Sequence, residues 1–412
     1  MRASKARLTL LGLLFLLSVV AYIDRVCISA AAPDIRRDLS IDASQMGWVF
    51  SAFTLAYAAF EIPSGWLGDR IGPRKVLMRI VIWWSAFTMA TGLARSFSSL
   101  LAIRFLFGIG ESGAYPNASK SISSWFPPAE RGRAHGTLFM GSRLGAALTP
   151  PLVVYLIHAV GWRHAFWVFG GIGLVWAGLW WWWFRDDPAS HPSVNQYELR
   201  EILEGYEPKE KRRTNWRAIL GSGNLLLIGL QYFCFGYGFY FYITWLPTYL
   251  REARGLSAES AGWTGGAILL VAAVANVIGG WLTDRLSHRH GLRVGRCFLG
   301  ASALGLSAVA LCAVAVVRDT QTAIALLMIG AAMSDLSIGA AWAVCLDVGR
   351  ENAGAVTGYM NTFGNLGGSI GPIVMGYAVK YWMSWSIPIL ITCGVYMLGV
   401  IFWLMVQPHK KI

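Results

Sequence analysis

The sequence predicts an all-α membrane protein in which twelve transmembrane helices form two pseudo-symmetric bundles of six. Three observations lead to this fold class: an apolar composition, twelve apolar stretches of membrane-spanning length, and a motif that occurs once in each half. Hydrophobic residues make up 55% of the 412-residue chain and charged residues only 14%, and the mean hydropathy is +0.49. Such a composition does not fold around a single aqueous core, so the chain is predicted to reside in lipid.

The apolar stretches are each long enough to cross the membrane, because roughly 20 residues cross about 30 Å of hydrocarbon. We number them segments 1 to 12, and their predicted bounds are 8–32, 45–67, 76–95, 98–122, 133–158, 163–185, 221–250, 259–283, 294–316, 321–347, 353–380 and 385–406. The polar stretch at 186–216 is predicted to be a cytoplasmic linker, which divides the chain into bundles at 1–185 and 217–412. Within this linker, a surface helix near 194–206 is an alternative to a simple tether.

An internal duplication supports the two-bundle architecture. The hexapeptide GWLGDR at 65–70 returns as GWLTDR at 280–285, each copy at the end of an apolar stretch. A second echo agrees with the first, since the dipeptide LG at 144–145 is matched by LG at 366–367, each followed by a proline. Two similar membrane halves are typical of transporters, in which the bundles rock about one central site.

The cations predict the orientation. If both termini are cytoplasmic, 23 of the 35 Lys and Arg residues lie on that side, eight lie outside, and four lie within predicted segments. This asymmetry follows the positive-inside rule and predicts a multi-pass protein of the cell (inner) membrane with cytoplasmic termini. The net charge of +13 therefore mostly reflects the topology of the chain in the lipid bilayer, and no nucleic-acid partner is needed to explain it.

Several motifs are weaker than they look. Segment 1 begins like a cleavable signal peptide, but its apolar run continues to Pro33, and its removal would leave five helices in the first half. The six cysteines occur singly, without disulfide or zinc spacing. The GxGxxG match at 108–113 follows no strand, so its glycines are predicted to allow close helix packing. The sequence thus predicts no metal site, no cofactor and no enzymatic chemistry.

Four charges within the predicted hydrocarbon region carry the functional argument: Asp24, Arg25, Arg104 and Glu111. Facing lipid, together they would cost roughly 10 kcal/mol, so they must face a cavity or one another. Asp24 and Arg25 are adjacent and diverge by about 100° around a helix, which predicts partners on other helices. An ion-pair network that only fixes packing is one interpretation. The other is an anion carrier, because arginine grips carboxylates through two N–H groups.

Longer motifs carry a family resemblance. They are the loop signature at 65–75, Tyr22-Ile23-Asp24-Arg25 in segment 1, the run from Arg104 to Pro116, Trp125-Phe126-Pro127 with Glu130-Arg131, and the run 244–250 in segment 7. Through essentially the whole chain, the sequence closely resembles the anion:cation symporters of the major facilitator superfamily, which are related to vesicular glutamate and sialic acid transporters.

The resemblance implies import of a small organic anion together with protons. Asp24 and Glu111 match the proton-coupling positions, and Arg25 matches the carboxylate-binding position. Further substrate-binding candidates are Tyr22, Tyr57, Arg104, Arg143, Tyr237, Tyr240, Trp342, Asn361 and Asn365. Sugar acids such as hexonates, hexuronates or aldarates are the substrates expected first, while tartrate, aromatic acids and acidic amino acids stay open. One chain supplies both halves and is expected to function as a monomer.

Three residues keep two interpretations each. Glu61 replaces an amide that the resemblance leads one to expect, and it is either a water-facing acid or a coupling group. Arg143 either binds a second substrate carboxylate or neutralises an acid such as Glu111. Asp335 in segment 10 is either a substrate contact or a member of a structural pair.

The repeated loop motif is expected to serve switching rather than binding. Its charged residues lie at the predicted cytoplasmic mouth, where they would form a charge latch; the gating candidates are Asp69, Arg70, Arg74, Asp284 and Arg285. Charge that merely sets topology is the alternative, and it suits Arg74 better than Asp69.

Two other functions compete with anion import. A proton-driven exporter of drugs or organic cations usually has a glycine-proline motif in segment 5, where this chain has Arg143 with Pro150-Pro151. Arg25 and Arg104 would also repel cationic substrates. A transport-dead membrane sensor of the same fold would bind its ligand without flux.

Overall fold

The computed structural model describes residues 4–127, 130–203, 219–349 and 352–410, which are almost entirely helical and contain no β-strand. The α-helices are α1 (Ala6–Leu39), α2 (Ala43–Ile71), α3 (Pro73–Thr91), α4 (Phe97–Glu111), α5 (Ala114–Trp125), α6 (Arg131–Trp183), α7 (Gln196–Leu203), α8 (Gly223–Tyr240), α9 (Leu246–Glu252), α10 (Ala258–His290), α11 (Leu299–Val316), α12 (Thr320–Gly349), α13 (Ala353–Trp382) and α14 (Ser386–Met405). Two π-helical turns, Phe241–Trp245 and Arg293–Phe298, join α8 to α9 and lead into α11.

Long apolar helices match the predicted membrane segments. In the described part of the chain, seven helical stretches are long and apolar enough to cross a bilayer: Ala6–Leu39, Arg131–Trp183, Gly223–Glu252, Ala258–His290, Arg293–Val316, Thr320–Gly349 and Ser386–Met405. Many large apolar side chains on these helices point outward, including Val277 and Val316 at 74% exposure and Trp182 at 73%. Such exposure suits contact with lipid tails and would be unfavourable in water.

Two glycines with positive φ interrupt the helices, one inside predicted segment 4 and the other between predicted segments 5 and 6. Segment 4 is broken after Glu111, because Gly113 has φ 82° and a Cβ atom there would lie 2.4 Å from Ser64 Cβ. Only glycine fits both this backbone conformation and this contact. Segments 5 and 6 follow one another within α6, where Gly161 (φ 78°, ψ 160°) turns the chain between them.

The chain divides into two compact units, one of 1–31 with 55–211 and one of 32–54 with 212–412. The end of α1 and the beginning of α2 thus pack with the second unit, although the sequence places them in the first half. The division into bundles at 1–185 and 217–412 stays a prediction.

In the first unit, α3 lies along α6. The indole of Trp180 is fully buried and donates a hydrogen bond from Nε1 to the Arg74 carbonyl oxygen over 3.1 Å. Farther along, Gly170 and Gly173 let α6 approach Ser85, whose carbonyl oxygen and Oγ would lie 2.6 and 2.1 Å from Cβ atoms at these positions. Small residues at a helix contact are the usual way to bring two membrane helices together.

The linker contains a helix that caps α1. The buried carboxylate of Glu198 on α7 accepts hydrogen bonds from Ser4 Oγ (2.5 Å), Ala6 N (3.1 Å) and Arg7 N (2.9 Å). These backbone N–H groups belong to the start of α1 and have no partner within that helix. Glu198 supplies the missing acceptor and a negative charge at the positive end of the helix dipole. Helix α7 is therefore a structural cap, and positions 204–206 of the surface helix predicted near 194–206 lie outside the described residues.

In the second unit, glycines on α13 pack against α8. Cβ atoms at Gly367 and Gly371 would lie 2.1 Å from the Phe233 carbonyl oxygen and 2.7 Å from the Tyr237 carbonyl oxygen. Ion pairs fasten the 32–54 segment to the rest of this unit; they join Asp34 to Arg251 (3.1 Å), Arg36 to Glu252 (2.7 Å) and Asp42 to Lys380 (2.9 Å).

Candidate functional site

A buried ion pair forms the centre of the site in the first unit. Arg25 on α1 donates to Glu111 at the end of α4 from both Nη2 (2.5 Å) and Nε (3.1 Å). Both bonds end on the same oxygen, Oε1, while Oε2 is buried and has no hydrogen-bond partner among the described residues. The Glu111 side chain is fully buried, and that of Arg25 is 11% exposed. One carboxylate oxygen of a paired acid thus stays available to a proton or a ligand group.

Two tyrosines flank the Arg25 guanidinium. Its Cζ atom lies 5.0 Å from the ring centroid of Tyr22 and 5.0 Å from that of Tyr57, which is within cation–π range. The structure thus brings three predicted site residues around Glu111. Tyr115 on α5, which the sequence did not single out, belongs to the same region; its hydroxyl donates to Ser142 Oγ over 3.1 Å.

Asp24 is fully buried and turns away from Arg25, as adjacent helical positions require. Arg104 and Glu111 of α4 are its charged neighbours, while Thr88 and Trp84 of α3 face its carboxyl group. Arg104 is only 2% exposed, and its guanidinium stacks 4.4 Å from the Phe107 ring centroid. The four membrane charges, which were predicted to face a cavity or one another, are thus neighbours in the first unit.

Sequence reasoning missed the two α3 residues, Thr88 and Trp84. Trp84 and Thr88 are four positions apart and share one helical face, but segment 3 also contains Arg79, Ser85 and Thr91, so this spacing did not single them out.

Two further predicted residues are half-buried in the first unit. Glu61 on α2 is half-buried and is an electrostatic neighbour of Arg25 and Tyr57. This placement favours a role at the site over a water-facing acid. Arg143 is half-buried on α6 and directly follows Ser142, the partner of the Tyr115 hydroxyl.

The candidates in the second unit lie on three helices. Tyr237 and Tyr240 are buried on α8, at 4% and 9% exposure, and the Tyr237 hydroxyl has no hydrogen-bond partner in the described part of the chain. Asn361 and Asn365 are half-buried and four positions apart, hence on one face of α13. Trp342 on α12 donates from its indole to the Tyr232 hydroxyl over 3.1 Å.

Asp335 lies in a separate polar region of the second unit. It is 2% exposed on α12 and is an electrostatic neighbour of the Tyr242 and Tyr396 hydroxyls. The adjacent Ser334 Oγ lies 2.9 Å from the Tyr396 hydroxyl. These tyrosines come from the π turn after α8 and from α14, so Asp335 sits where three helical stretches of one unit meet.

The two copies of the loop motif share an intrahelical contact. The Arg70 guanidinium lies 4.1 Å from the Trp66 ring centroid, and the Arg285 guanidinium lies 4.8 Å from that of Trp281. The sequence duplication therefore extends to side-chain packing. The side chain of Asp69 lies outside the described residues.

The other gating candidates are engaged within their own units. In the second unit, Asp284 forms an ion pair with Arg296 (2.9 Å), which also pairs with Asp347 (2.9 Å). In the first, the backbone N–H of Arg74 donates to Asp186 over 2.8 Å, and its Nη2 donates to the Trp181 carbonyl oxygen over 2.6 Å.

Comparison with known proteins identifies the family. The family model described as Major Facilitator Superfamily matches residues 14–372. A protein named probable sulfoacetate transporter SauU, from Cupriavidus necator, is 37% identical over 98% of this chain and 94% of its own length. The hexuronate transporter of Bacillus subtilis is 33% identical over 95% and 92%. The probable galactarate/D-glucarate transporter GudP of Escherichia coli is 31% identical over 92% and 88%.

Solved structures show the same fold. A crystal structure of a bacterial homologue of the human lysosomal transporter Spinster superposes with a TM-score of 0.81 at 20% identity, covering 98% of this chain and 97% of that one. The predicted twelve-helix, two-bundle membrane fold is confirmed. The chain therefore belongs to the Major Facilitator Superfamily and is a multi-pass membrane transporter, not an enzyme.

Proposed function

We propose that this transporter imports an organic carboxylate anion with protons by alternating access, and that the anion is a sugar acid such as a hexonate, hexuronate or aldarate. The single observation that carries the proposal is the buried Arg25–Glu111 pair, in which one carboxylate oxygen holds both guanidinium bonds. The names of the relatives support the substrate class, since two of them are transporters of hexuronate and of galactarate/glucarate.

Coupling arises from competition for the arginine. An entering carboxylate takes the Arg25 N–H groups from Glu111, which is then left in a buried site without its counter-charge. An isolated carboxylate there favours its neutral form and takes up a proton. Substrate and proton thus bind with positive linkage, and each raises the affinity of the site for the other. Asp24 holds a second proton in the same way, through its neighbour Arg104.

Other residues are proposed to orient the anion. Tyr22 and Tyr57 fix the guanidinium plane of Arg25, and Arg143 receives a second carboxylate in dianionic substrates. The second unit contributes polar and aromatic side chains that contact substrate hydroxyls, namely Tyr237, Tyr240, Trp342, Asn361 and Asn365. The motif residues Asp69, Arg70, Arg74, Asp284 and Arg285 act as a charge latch at the cytoplasmic side.

The number of protons determines the driving force. A monoanion with one proton is electrically neutral, whereas two protons bring net positive charge inward. Each net charge then contributes about 2.3 kcal/mol per 100 mV of membrane potential. This corresponds to an accumulation of about fifty-fold. We propose that the protein works as a monomer in the cell membrane, with both termini cytoplasmic.

Sulfoacetate is a second candidate substrate. The relative that is 37% identical over nearly the whole chain is named as its probable transporter. Sulfoacetate carries one carboxylate and one sulfonate, so it would use Arg25 together with a second cation such as Arg104 or Arg143.

Counterflow in proteoliposomes tests the proposal. Vesicles are loaded with one acid from a panel of hexonates, hexuronates, aldarates, sulfoacetate, tartrate and acidic amino acids, and exchange for labelled acid is measured with and without an inward pH gradient. We expect exchange of at least one sugar acid in loaded vesicles, and net uptake into vesicles without internal acid only with the gradient. Absence of exchange with every acid of the panel would refute the proposal.

A further inference from the structure

A short stretch of the linker lies against α5 and α6. We call residues 186–194 the strap; all nine are described, and only the side chains of Pro188 and His191 are buried. The His191 ring is 4% exposed, and its centroid lies 5.2 Å from that of Trp125 on α5 and 4.6 Å from that of Trp183 on α6. Because the other side chains of the strap are exposed or half-buried, this ring is its main anchor.

The hydrogen bonds of His191 fix its protonation state. Nε2 lies 2.9 Å from the Trp183 carbonyl oxygen, which only accepts, and Nδ1 lies 3.1 Å from the Ser193 backbone nitrogen, whose N–H only donates. A neutral ring with its hydrogen on Nε2 satisfies both partners. A second proton, on Nδ1, would face the Ser193 N–H and replace that hydrogen bond by a repulsion between two donors.

The surroundings of His191 oppose its protonation. The charged groups that act on the ring are Arg185, just after α6, and Glu198 on α7, while the indoles that face it from α5 and α6 are neutral. Burial lowers the pKa of His191 from its ordinary value of 6.5, and Arg185 acts in the same direction. The bond to Trp183 and the charge of Glu198 act in the opposite direction without outweighing these effects.

This lowered pKa makes the docking of the strap depend on pH. A ring released into water takes up a proton more readily than the buried ring, so acid favours the released strap. The docked strap is therefore most stable above pH 6.5 and loses stability as pH falls below this value.

The strap also holds the turn between α2 and α3. Asp186 Oδ1 accepts a hydrogen bond from the Arg74 backbone N–H over 2.8 Å, and a Cβ atom at Gly72 (φ 85°) would lie 2.4 Å from Asp186 Oδ2. Both positions belong to the loop signature at 65–75. A change in the strap therefore reaches the loop that begins with the first copy of the repeated motif.

The cap on α1 is held separately from the strap. Ser4 N donates to Asn195 Oδ1 over 3.2 Å, and Asn195 N donates to Ser4 Oγ over 2.9 Å. Neither these bonds nor those of Glu198 to α1 include a strap residue, so the two parts of the linker can respond separately.

We propose that His191 is a pH switch in the linker: a proton bound at its Nδ1 releases the strap, loosens the loop at 65–75 and slows the switching step of the transporter. The inference rests on the proposed function for its link to transport and for the cytoplasmic position of the linker, but the release of the strap does not. Import of an anion with protons acidifies the cytoplasm, and the switch then reduces further import. Because the loop is outside the substrate site, the switch changes turnover rather than substrate binding.

Hydrogen–deuterium exchange of the purified full-length protein tests the switch without any substrate. Samples at about pH 7.5 and about pH 5.5 are labelled for times corrected for the intrinsic pH dependence of amide exchange. We expect the amides of Ser193 and Val194 to exchange about tenfold faster at the lower pH after this correction, because one pH unit below the ordinary pKa changes the equilibrium by at most that factor. Protection at the start of α1 should stay unchanged.

Two variants show whether His191 is the responsible group. His191→Gln keeps an N–H group for the Trp183 carbonyl oxygen but does not titrate, so strap protection should be equal at both pH values. His135→Gln is the matched control, because Nδ1 of the half-buried His135 lies 2.8 Å from the Arg131 carbonyl oxygen, to which both the neutral and the charged ring can donate. It should keep the native pH response. If His191→Gln fails to fold, His191→Asn, which keeps an acceptor near the Nδ1 position, replaces it.

Transport is tested in right-side-out membrane vesicles at a fixed external pH. Exchange of a labelled hexuronate is measured with the internal pH set to about 7.5 or about 5.5. The proton-coupling acids respond to internal pH in every variant, so the comparison is between variants. We expect acid inside to lower the turnover of the native protein and of His135→Gln about fivefold more than that of His191→Gln, with KM unaffected by the variant.

The experiments separate the switch from the proposed function. Absence of exchange with every acid would reject the function, while deuterium exchange alone would still decide the release of the strap. Equal strap protection at both pH values in the native protein, or the same acceleration in His191→Gln, would overturn the switch. Equal acid inhibition of turnover in the native protein and His191→Gln would overturn its link to transport.

Discussion

Two buried arginines, one in each unit, differ in how many acceptors their hydrogen bonds reach. Arg296 in the second unit pairs with Asp284 and Asp347, and its Nη1 also donates to Thr283 Oγ1 over 3.1 Å. Arg25 in the first unit places two bonds on a single oxygen of Glu111 and leaves the other oxygen of that acid unbonded.

This difference distinguishes an ion pair that only stabilises the fold from an ion pair that can bind a proton or a ligand. Around Arg296, separate N–H groups reach two carboxylates and a hydroxyl, so the charges are held in one arrangement. Around Arg25, the acid is desolvated but incompletely bonded, so a proton or a ligand oxygen can change its state at small cost. Burial of the arginines does not separate the two cases, since both arginine side chains are about 10% exposed. The acids differ, because Glu111 is fully buried with one unbonded oxygen, whereas Asp284 and Asp347 are 66% and 22% exposed and can be solvated by water.

The largest effect is expected from Arg25→Lys. Lysine keeps the charge but lacks the planar fork that binds a carboxylate through two N–H groups. We expect counterflow to fall by about 100-fold, which corresponds to the loss of a desolvated charge pair. The rate of labelled-acid exchange is the measurement. Exchange within threefold of the native rate would remove Arg25 from the substrate site.

Arg296→Met tests the structural side of the comparison. The change leaves Asp347 and Asp284 without their partner, but Asp284 is 66% exposed and is solvated by water. We expect a loss of about 2 kcal/mol of stability, below the value for a fully buried pair. Thermal unfolding in detergent measures this loss. Substrate affinity in the folded fraction should stay within twofold. A large loss of affinity would show that Arg296 takes part in substrate binding.

Glu198→Gln tests whether the linker helix is a structural cap. The amide oxygen still accepts at one of the two positions, but the amide NH₂ cannot accept at the other, and the charge that interacts with the helix dipole is lost. We expect stability to fall by about 1 kcal/mol and the exchange rate to stay unchanged. A lower exchange rate at unchanged stability would show that the cap takes part in switching.

The smallest effect is expected from Asp42→Asn. Desolvation opposes ionisation of Asp42, but hydrogen bonds from Ser44 Oγ and Gln45 N, together with Lys380, outweigh it and lower its pKa to about 2. A lowered pKa means that the contribution to stability is complete above the ordinary carboxyl range and is lost only as pH falls toward 2. This pair is exposed, so the loss should be about 0.5 kcal/mol and constant from pH 5 to 8. A loss that varies across this range would contradict the assignment.

The sequence predicted that the four membrane charges face a cavity or one another, because charges in hydrocarbon have few alternatives. Asp24 and Arg25 diverge around α1, which required partners on other helices, and the structure supplies them from α3 and α4. The duplicated motif likewise predicted symmetry, which appears in the matching Arg70–Trp66 and Arg285–Trp281 contacts.

Other features had no sequence signal of comparable strength. Hydroxyls and an indole on a membrane helix resemble packing residues, so Thr88 and Trp84 become visible only through their position at the Asp24 carboxyl group. The helix break at Gly113 depends on its contact with Ser64, a tertiary feature. Local pattern fixes which residues must avoid lipid, whereas the completeness of their bonding depends on packing.

The central claim is that an incompletely bonded acid couples protons to the anion, and Glu111→Gln combined with Asp24→Asn tests it most directly. In one proteoliposome preparation, substrate exchange at equal pH is compared with accumulation driven by an inward pH gradient. We predict that exchange persists within about tenfold of the native rate, because Arg25 still binds the carboxylate, while gradient-driven accumulation disappears. Accumulation undiminished in the double variant would contradict the account.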